Sequence, residues 1–337
     1  MSTGHKHPMA PTPTIECHSQ KVPNSHASLT IQVSGDHLGI LFCYSDGPEN
    51  EFYIWDWKSG AVKMDLFGDE MDSFVFMSER EVIFGFLGPS ENDDLEVSLL
   101  VLDFEEESKE NHAITEVEHG VSFLFPIIVD RIGLVTLEVR SDPAPKLAPP
   151  SQLPFFMAPH NRIFTAFLSI IHESRLQTIM LFAPLATFRS SLDRRIGAGH
   201  KRIPWSFWGP KGTRMLMPDR NPSDIWVCYV NASKYVALRK MRRNRTTTIL
   251  VDVFDFHQPG LSRALSDPHH GTDCVTSTDF FEAGDVFGEQ VQTSLPYRLR
   301  TLPLDSTYTS DMGVMCGEDH IIIVDVRVPD ETFVLKS

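Results

Sequence analysis

Cysteine is scarce and scattered in this 337-residue chain. Cys17, Cys43, Cys228, Cys274 and Cys316 are widely spaced, and no pair forms a C-x-x-C. Such spacing supports neither a disulfide framework nor a zinc knuckle, so buried free thiols in a reducing compartment are expected. The expected location is cytoplasmic, nuclear or both, and the sequons at Asn231 and Asn244 are expected to stay unmodified. No apolar run approaches the ~20 residues of a membrane span. The N-terminus has no apolar stretch of signal-peptide length, so no membrane partner is expected. Catalytic signatures are missing as well. No G-x-S-x-G, HExxH, P-loop or G-x-G-x-x-G occurs. The segment "GPKGTR" (Gly209–Arg214) lacks the core of a phosphate loop, and Pro210 removes a donor, so a turn between strands is expected there.

What is present is charge, unevenly placed. The formal net charge is −15. Asp36 to Glu118 holds 22 acidic and 4 basic residues, a balance of −18, whereas Arg189 to Arg245 holds 3 acidic and 14 basic, a balance of +11. Separated charge of this kind suits an acidic face and a basic face for different partners, or simply solvated rims and loops.

Strand signals dominate the rest. Runs such as "LTIQV", "LGILFCY", "EVIFGFL", "VSLLVLDF", "TIMLFA" and "TTTILVDVFDF" are short, β-branched or aromatic, and bounded by turn residues. Helical periodicity is hard to find over any long window. A repeat is visible. "LGILFCY", a polar turn and "YIWDW" are followed by "EVIFGFL", a polar turn and "LVLDF", which places Asp56 and Asp103 in equivalent positions 47 residues apart. Later strand ends at Asp255 and Asp325 look alike. An Asp directly after an apolar strand accepts N–H groups of the following turn, so this pattern needs no chemistry. The period is that of propeller blades. The expected fold is all-β, a WD-repeat-like β-propeller with about six or seven degenerate blades. The expected layout is a disordered tail over 1–27, one domain over 28–330 and a short tail over 331–337. A Pro-rich insert covers 141–154 and a polar insert covers 257–273.

The motifs "YIWDWKSG" (Tyr53–Gly60), "IPWSFWGPKGTRML" (Ile203–Leu216), "DIWVCYV" (Asp224–Val230), "VFDF" (Val253–Phe256), "LPYR" (Leu295–Arg298) and "EDHIIIVDV" (Glu318–Val326) together resemble basidiomycete fungal F-box proteins. The resemblance implies a propeller-like domain after an F-box, which docks a Skp–cullin ubiquitin ligase while the propeller holds a substrate. Residues 1–27 contain no Leu-Pro and no apolar helical period. The adaptor element is therefore expected to be missing, and Skp–cullin to be a partner only if an F-box is restored upstream.

Two segments are candidates for partner binding. The basic run "LRKMRRNR" supplies Arg239, Lys240, Arg242, Arg243 and Arg245, and suits an acidic protein. Only Tyr235 lies nearby for stacking, so nucleic acid is not the expected partner. The cluster Trp205, Phe207 and Trp208 suits either a ligand mouth or a packed core. His269-His270 beside Asp267, Asp273 and Cys274 lacks the convergence that a metal demands, and Asp46 to Glu51 lacks EF-hand spacing. The acidic groups Asp93-Asp94 and Glu105–Glu107 sit in hydrophilic turns and are read as surface. No cofactor, metal or catalytic residue is expected. The chain reads as a non-catalytic protein-interaction domain. A scaffold without a ligase role and a propeller hydrolase with a central-channel site are the alternatives.

Overall fold

The computed structural model describes residues 7–16, 27–45, 49–89, 95–106, 111–129, 132–145, 160–192, 201–217, 229–243, 246–266, 273–304, 312–317 and 319–325. Strands dominate these residues, so the all-β reading holds. Four sheets succeed one another along the chain, and each begins as an antiparallel meander. The first sheet runs Ala27–Ser34, His37–Tyr44, Glu51–Asp56 and Ala61–Phe67. The second runs Met71–Phe76, Glu81–Pro89, Leu95–Asp103 and Val121–Leu124. The third runs Gly133–Arg140, Ile163–His172, Arg175–Pro184 and Arg214–Leu216. The fourth runs Val230–Asn231, Lys234–Arg243, Thr246–Asp255 and Tyr297–Pro303. Two hairpins complete the series: Asp279–Phe281 with Val291–Thr293, and Met312–Cys316 with Ile321–Asp325. Among the described residues the units are thus four full sheets and two hairpins.

The Asp-ended strands behave as the repeat implied. Asp56 Oδ1 accepts from the N–H groups of Lys58 and Ser59, Asp103 Oδ1 from Glu105, and Asp255 Oδ1 from His257. Each of these residues ends the third strand of its sheet. Tyr53 and Trp55 are buried, and the indole N–H of Trp57 donates to Gly35 O.

Apolar side chains on both faces of the middle strands fill the spaces between successive sheets. One core joins the first and second sheets through Phe52, Ile54, Phe74 and Phe84. A larger one joins the second and third through Phe123, Leu137, Phe164 and Phe188. A third joins the third and fourth through Phe167, Phe182, Tyr235 and Phe256. The last hairpin packs on the fourth sheet through Val236, Val251, Val314 and Cys316. Burying one such aromatic ring is worth roughly 1.5–3 kcal/mol, so these seams hold the sheets in sequence order.

The outer edges are covered, as exposed edges must be if a chain is to avoid adventitious pairing. His112–Ala113 adds in parallel to Ala61–Phe67, and Lys201–Ile203 adds in parallel to Val121–Leu124. Cys274–Val275 adds to Tyr297–Pro303. At the third sheet, the fully buried Arg214 donates to Leu295 O, Ser277 O and Asp279 and lies over the Tyr297 ring.

Three short helices depart from the sequence reading: α1 (Leu185–Leu192), α2 (Trp205–Gly212) and α3 (Gln258–Ser266). "GPKG" is the last turn of α2 rather than a turn between strands. Gly209 is needed there because a Cβ would lie 2.3 Å from the Trp205 ring. The polar insert after His257 begins as α3, which buries Leu261 and Ala264 three residues apart. Residues 7–16 form turns, with the His7 ring edge-on to Trp57 at 5.1 Å. No helix among the described residues is long and apolar enough to cross a membrane.

Candidate functional site

The first strand of every sheet reaches one cavity of about 640 Å³. Thr30 to Val33 come from the first sheet, Phe74 and Val75 from the second, Val139 and Arg140 from the third, and Val230 from the fourth. Ser141, Asp142 and Pro145 also line it, as does Tyr229 just before the fourth sheet. The start of the Pro-rich segment is therefore a wall of the cavity, and its residues 146–154 lie outside the described residues. Proline suits this place because it needs no ladder partner.

Most polar groups at the cavity are engaged in holding neighbouring strands. Gln32 Oε1 accepts from the Phe76 N–H at 2.7 Å, and Ser34 Oγ donates to Pro145 O at 3.1 Å. Arg140 lies 2.5 Å from Glu138 and also bonds the Tyr229 hydroxyl. Burial disfavours the Arg140 guanidinium, but Glu138 and Tyr229 more than offset this and hold it above its ordinary value. Burial likewise raises the Tyr229 hydroxyl. Burial also raises the Asp142 carboxyl, opposed by Arg162 and Arg140.

Arg162 sits behind this wall, almost fully buried. Its guanidinium donates to Phe76 O, Met77 O and Ser141 Oγ and lies 5.2 Å over the Phe164 ring. Burial pushes it down to about 10, with Asp142 opposing. Ser141 Oγ is thus an acceptor for a cation rather than a nucleophile beside a base. Arg162 itself lines a second cavity of about 620 Å³. Of its charged groups, Arg189 pairs with Glu81 at 2.5 Å and Arg80 with Asp103 at 2.9 Å. Among the described residues, no group of three or more His, Cys, Asp or Glu side chains is placed to share a metal ion. Asp267, His269, His270, Asp46, Asp93, Asp94 and Glu107 lie outside the described residues.

The residues singled out from sequence are not brought together. Trp205 (6% exposed) and Trp208 (3%) belong to the core between the second and third sheets, where the Trp208 indole donates to Leu124 O. Their rings face Phe123, Phe125 and Phe188 and serve packing, while Phe207, 78% exposed, is the ring of α2 that meets solvent. The basic run is a strand: Arg239, Lys240, Arg242 and Arg243 pair with Leu250, Ile249, Thr247 and Thr246. Arg239 grips Asp252 through two bonds of 2.6 and 3.1 Å. Arg245 lies outside the described residues.

Sequence reasoning missed the cavity residues, because they come from four segments far apart in the chain. It also missed the exposure of the first inner strand. Leu29, Ile31 and Val33 are 55%, 58% and 54% exposed. The alternation L-T-I-Q-V was the available signal, since a strand buried on both faces has no reason to alternate. No family model, no curated protein and no solved structure matches this chain.

Proposed function

We propose that the chain is a non-catalytic protein-interaction domain of β-propeller-like build, akin to the substrate-recognition part of fungal F-box subunits of Skp–cullin ubiquitin ligases. One observation carries this reading: successive sheets converge their first strands on a cavity beside three exposed apolar residues of the first sheet. Exposed apolar rows next to a concavity mark interaction sites. The engagement of Ser141 by Arg162 and of Arg140 by Glu138 favours recognition over hydrolysis.

Affinity capture from a basidiomycete lysate tests it. The chain alone is expected to retain a discrete protein partner without Skp or cullin subunits, and to gain both when an F-box is placed upstream. Failure of that longer chain to recruit them would remove the ligase role. Turnover of any substrate in a broad hydrolase screen would overturn the non-enzymatic reading.

A further inference from the structure

Among the described residues, the inner strand Ala27–Ser34 has a partner strand along one edge and none along the other. It pairs with His37–Tyr44 in unbroken register from Ala27↔Tyr44 to Ser34↔His37, closed by the two-residue turn Gly35-Asp36 with Gly35 at φ 57°. Such a turn makes Ser34 and His37 a bonded pair, and bonded pairs then alternate along the hairpin. The backbone groups of Val33, Ile31 and Leu29 therefore point away from the partner strand. Among the described residues, nothing bonds to them. The same three residues present the exposed apolar side chains. The strand, "ASLTIQVS", has no charge, proline or bulge, the usual defences of an edge.

The inner strands of the next two sheets are treated differently. The outward N–H of Phe76 is held by Gln32, that of Val139 by Ser73 Oγ and that of Leu137 by Asp72. In each case the preceding sheet supplies the acceptor. Among the described residues, no acceptor is supplied in this way to Leu29, Ile31 or Val33.

We propose that this edge takes an extended segment of a partner protein as an added strand, with apolar residues at alternate positions and basic residues between them. Main-chain bonds to Leu29, Ile31 and Val33 would give affinity, and the apolar row would set register. The basic character comes from charge: the strand itself is neutral, but the three strands that follow it in the first sheet and the first three of the second lie within the stretch of net charge −18. A second copy of the chain would bring the same acidic sheets face to face, which disfavours self-pairing.

The probe is a blocked peptide of alternating valine and lysine. Saturable binding is expected, with the amides of Leu29, Ile31 and Val33 gaining protection from hydrogen exchange. Ile31→Pro removes one outward N–H while an edge strand tolerates the ring, and is expected to weaken binding by about ten-fold. Ile31→Lys alters only a solvent-facing side chain and tests the row if the proline variant fails to fold. A valine–glutamate peptide is expected to bind more weakly than the lysine one. Equal binding by wild type and Ile31→Lys would overturn the proposal. So would a concentration-dependent dimer that Ile31→Lys disperses, because a second copy would then be the occupant. The proposal rests on the interaction reading, but the two fail separately. A captured partner retained by both Ile31 variants would contradict the edge alone. Peptide docking at the edge with no retained protein would contradict the cellular role alone.

Discussion

The inner strands Ala27–Ser34 and Met71–Phe76 hold the same place in consecutive meanders, yet one is bare and the other sealed. Met71–Phe76 is buried at five of its six positions, whereas Ala27–Ser34 is buried only at Ser34. The difference lies in the neighbours that each strand meets in space. Ser73 donates to Leu137 O at 2.6 Å and accepts from the Val139 N–H at 2.9 Å, while Gly85 brings the second sheet hard against the third. Ala27–Ser34 supplies such a bond forward, through Gln32, and receives none among the described residues. Among the described residues the inner strand of the first sheet is therefore left open, and an open neutral strand is the kind of edge that the proposed docking needs.

Substitutions at the seam should be costly and substitutions at the edge should not. The largest effect is expected for Gly85→Ala, whose Cβ would lie 2.3 Å from Leu137 O and 2.7 Å from Ser73 Oγ. Urea unfolding should show a loss of about 3 kcal/mol, the upper end of overpacking costs. A loss well under that would mean the two sheets slide apart easily. Ser73→Ala comes next. It strips the acceptor from a buried N–H, and the same assay should register about 1–3 kcal/mol.

Asp72→Asn sharpens the contrast through pH. Burial raises the Asp72 carboxyl above 3.8, opposed by the bond from the Leu137 N–H and assisted by Glu138. The folded chain therefore holds this proton more tightly than the unfolded chain. Its contribution is full below the unfolded value and is lost as pH rises through the folded one. Asparagine keeps an acceptor for Leu137 but cannot ionise. The variant should gain stability relative to wild type as pH climbs from acid toward neutrality, and a flat difference would show the carboxyl to be unperturbed. The smallest effect belongs to the bare strand. Ile31→Thr should change stability by no more than about 0.5 kcal/mol, as befits a side chain more than half exposed.

Much of this arrangement was legible in the sequence, and the limits were physical. The equivalence of Asp56 and Asp103 could be read because an Asp turn is local: the acceptor and its donors lie within three residues. The strands of the first two sheets could be read because burial on both faces leaves long apolar runs. Helix α2 could not, since Gly209, Pro210 and Gly212 argue against a helix, while Trp205 packs on Gly209 to form one. The strand character of the basic run was not legible, because charges are rare in strands. Its partner Thr246–Asp255, rich in β-branched residues, holds it in register. The cavity was out of reach, because its walls meet only after four sheets have stacked. The bare edge was half visible: alternation announced an exposed face, but only the stacked sheets reveal that nothing among the described residues seals it.

The most direct test is residue-resolved hydrogen exchange of the free chain and of the chain with the valine–lysine peptide. The amides of Leu29, Ile31 and Val33 should exchange rapidly in the free chain, those of Phe76, Leu137 and Val139 slowly, and the peptide should slow the first three alone. Slow exchange at Leu29, Ile31 and Val33 before any peptide is added would mean the edge is already occupied, and would contradict the account at its centre.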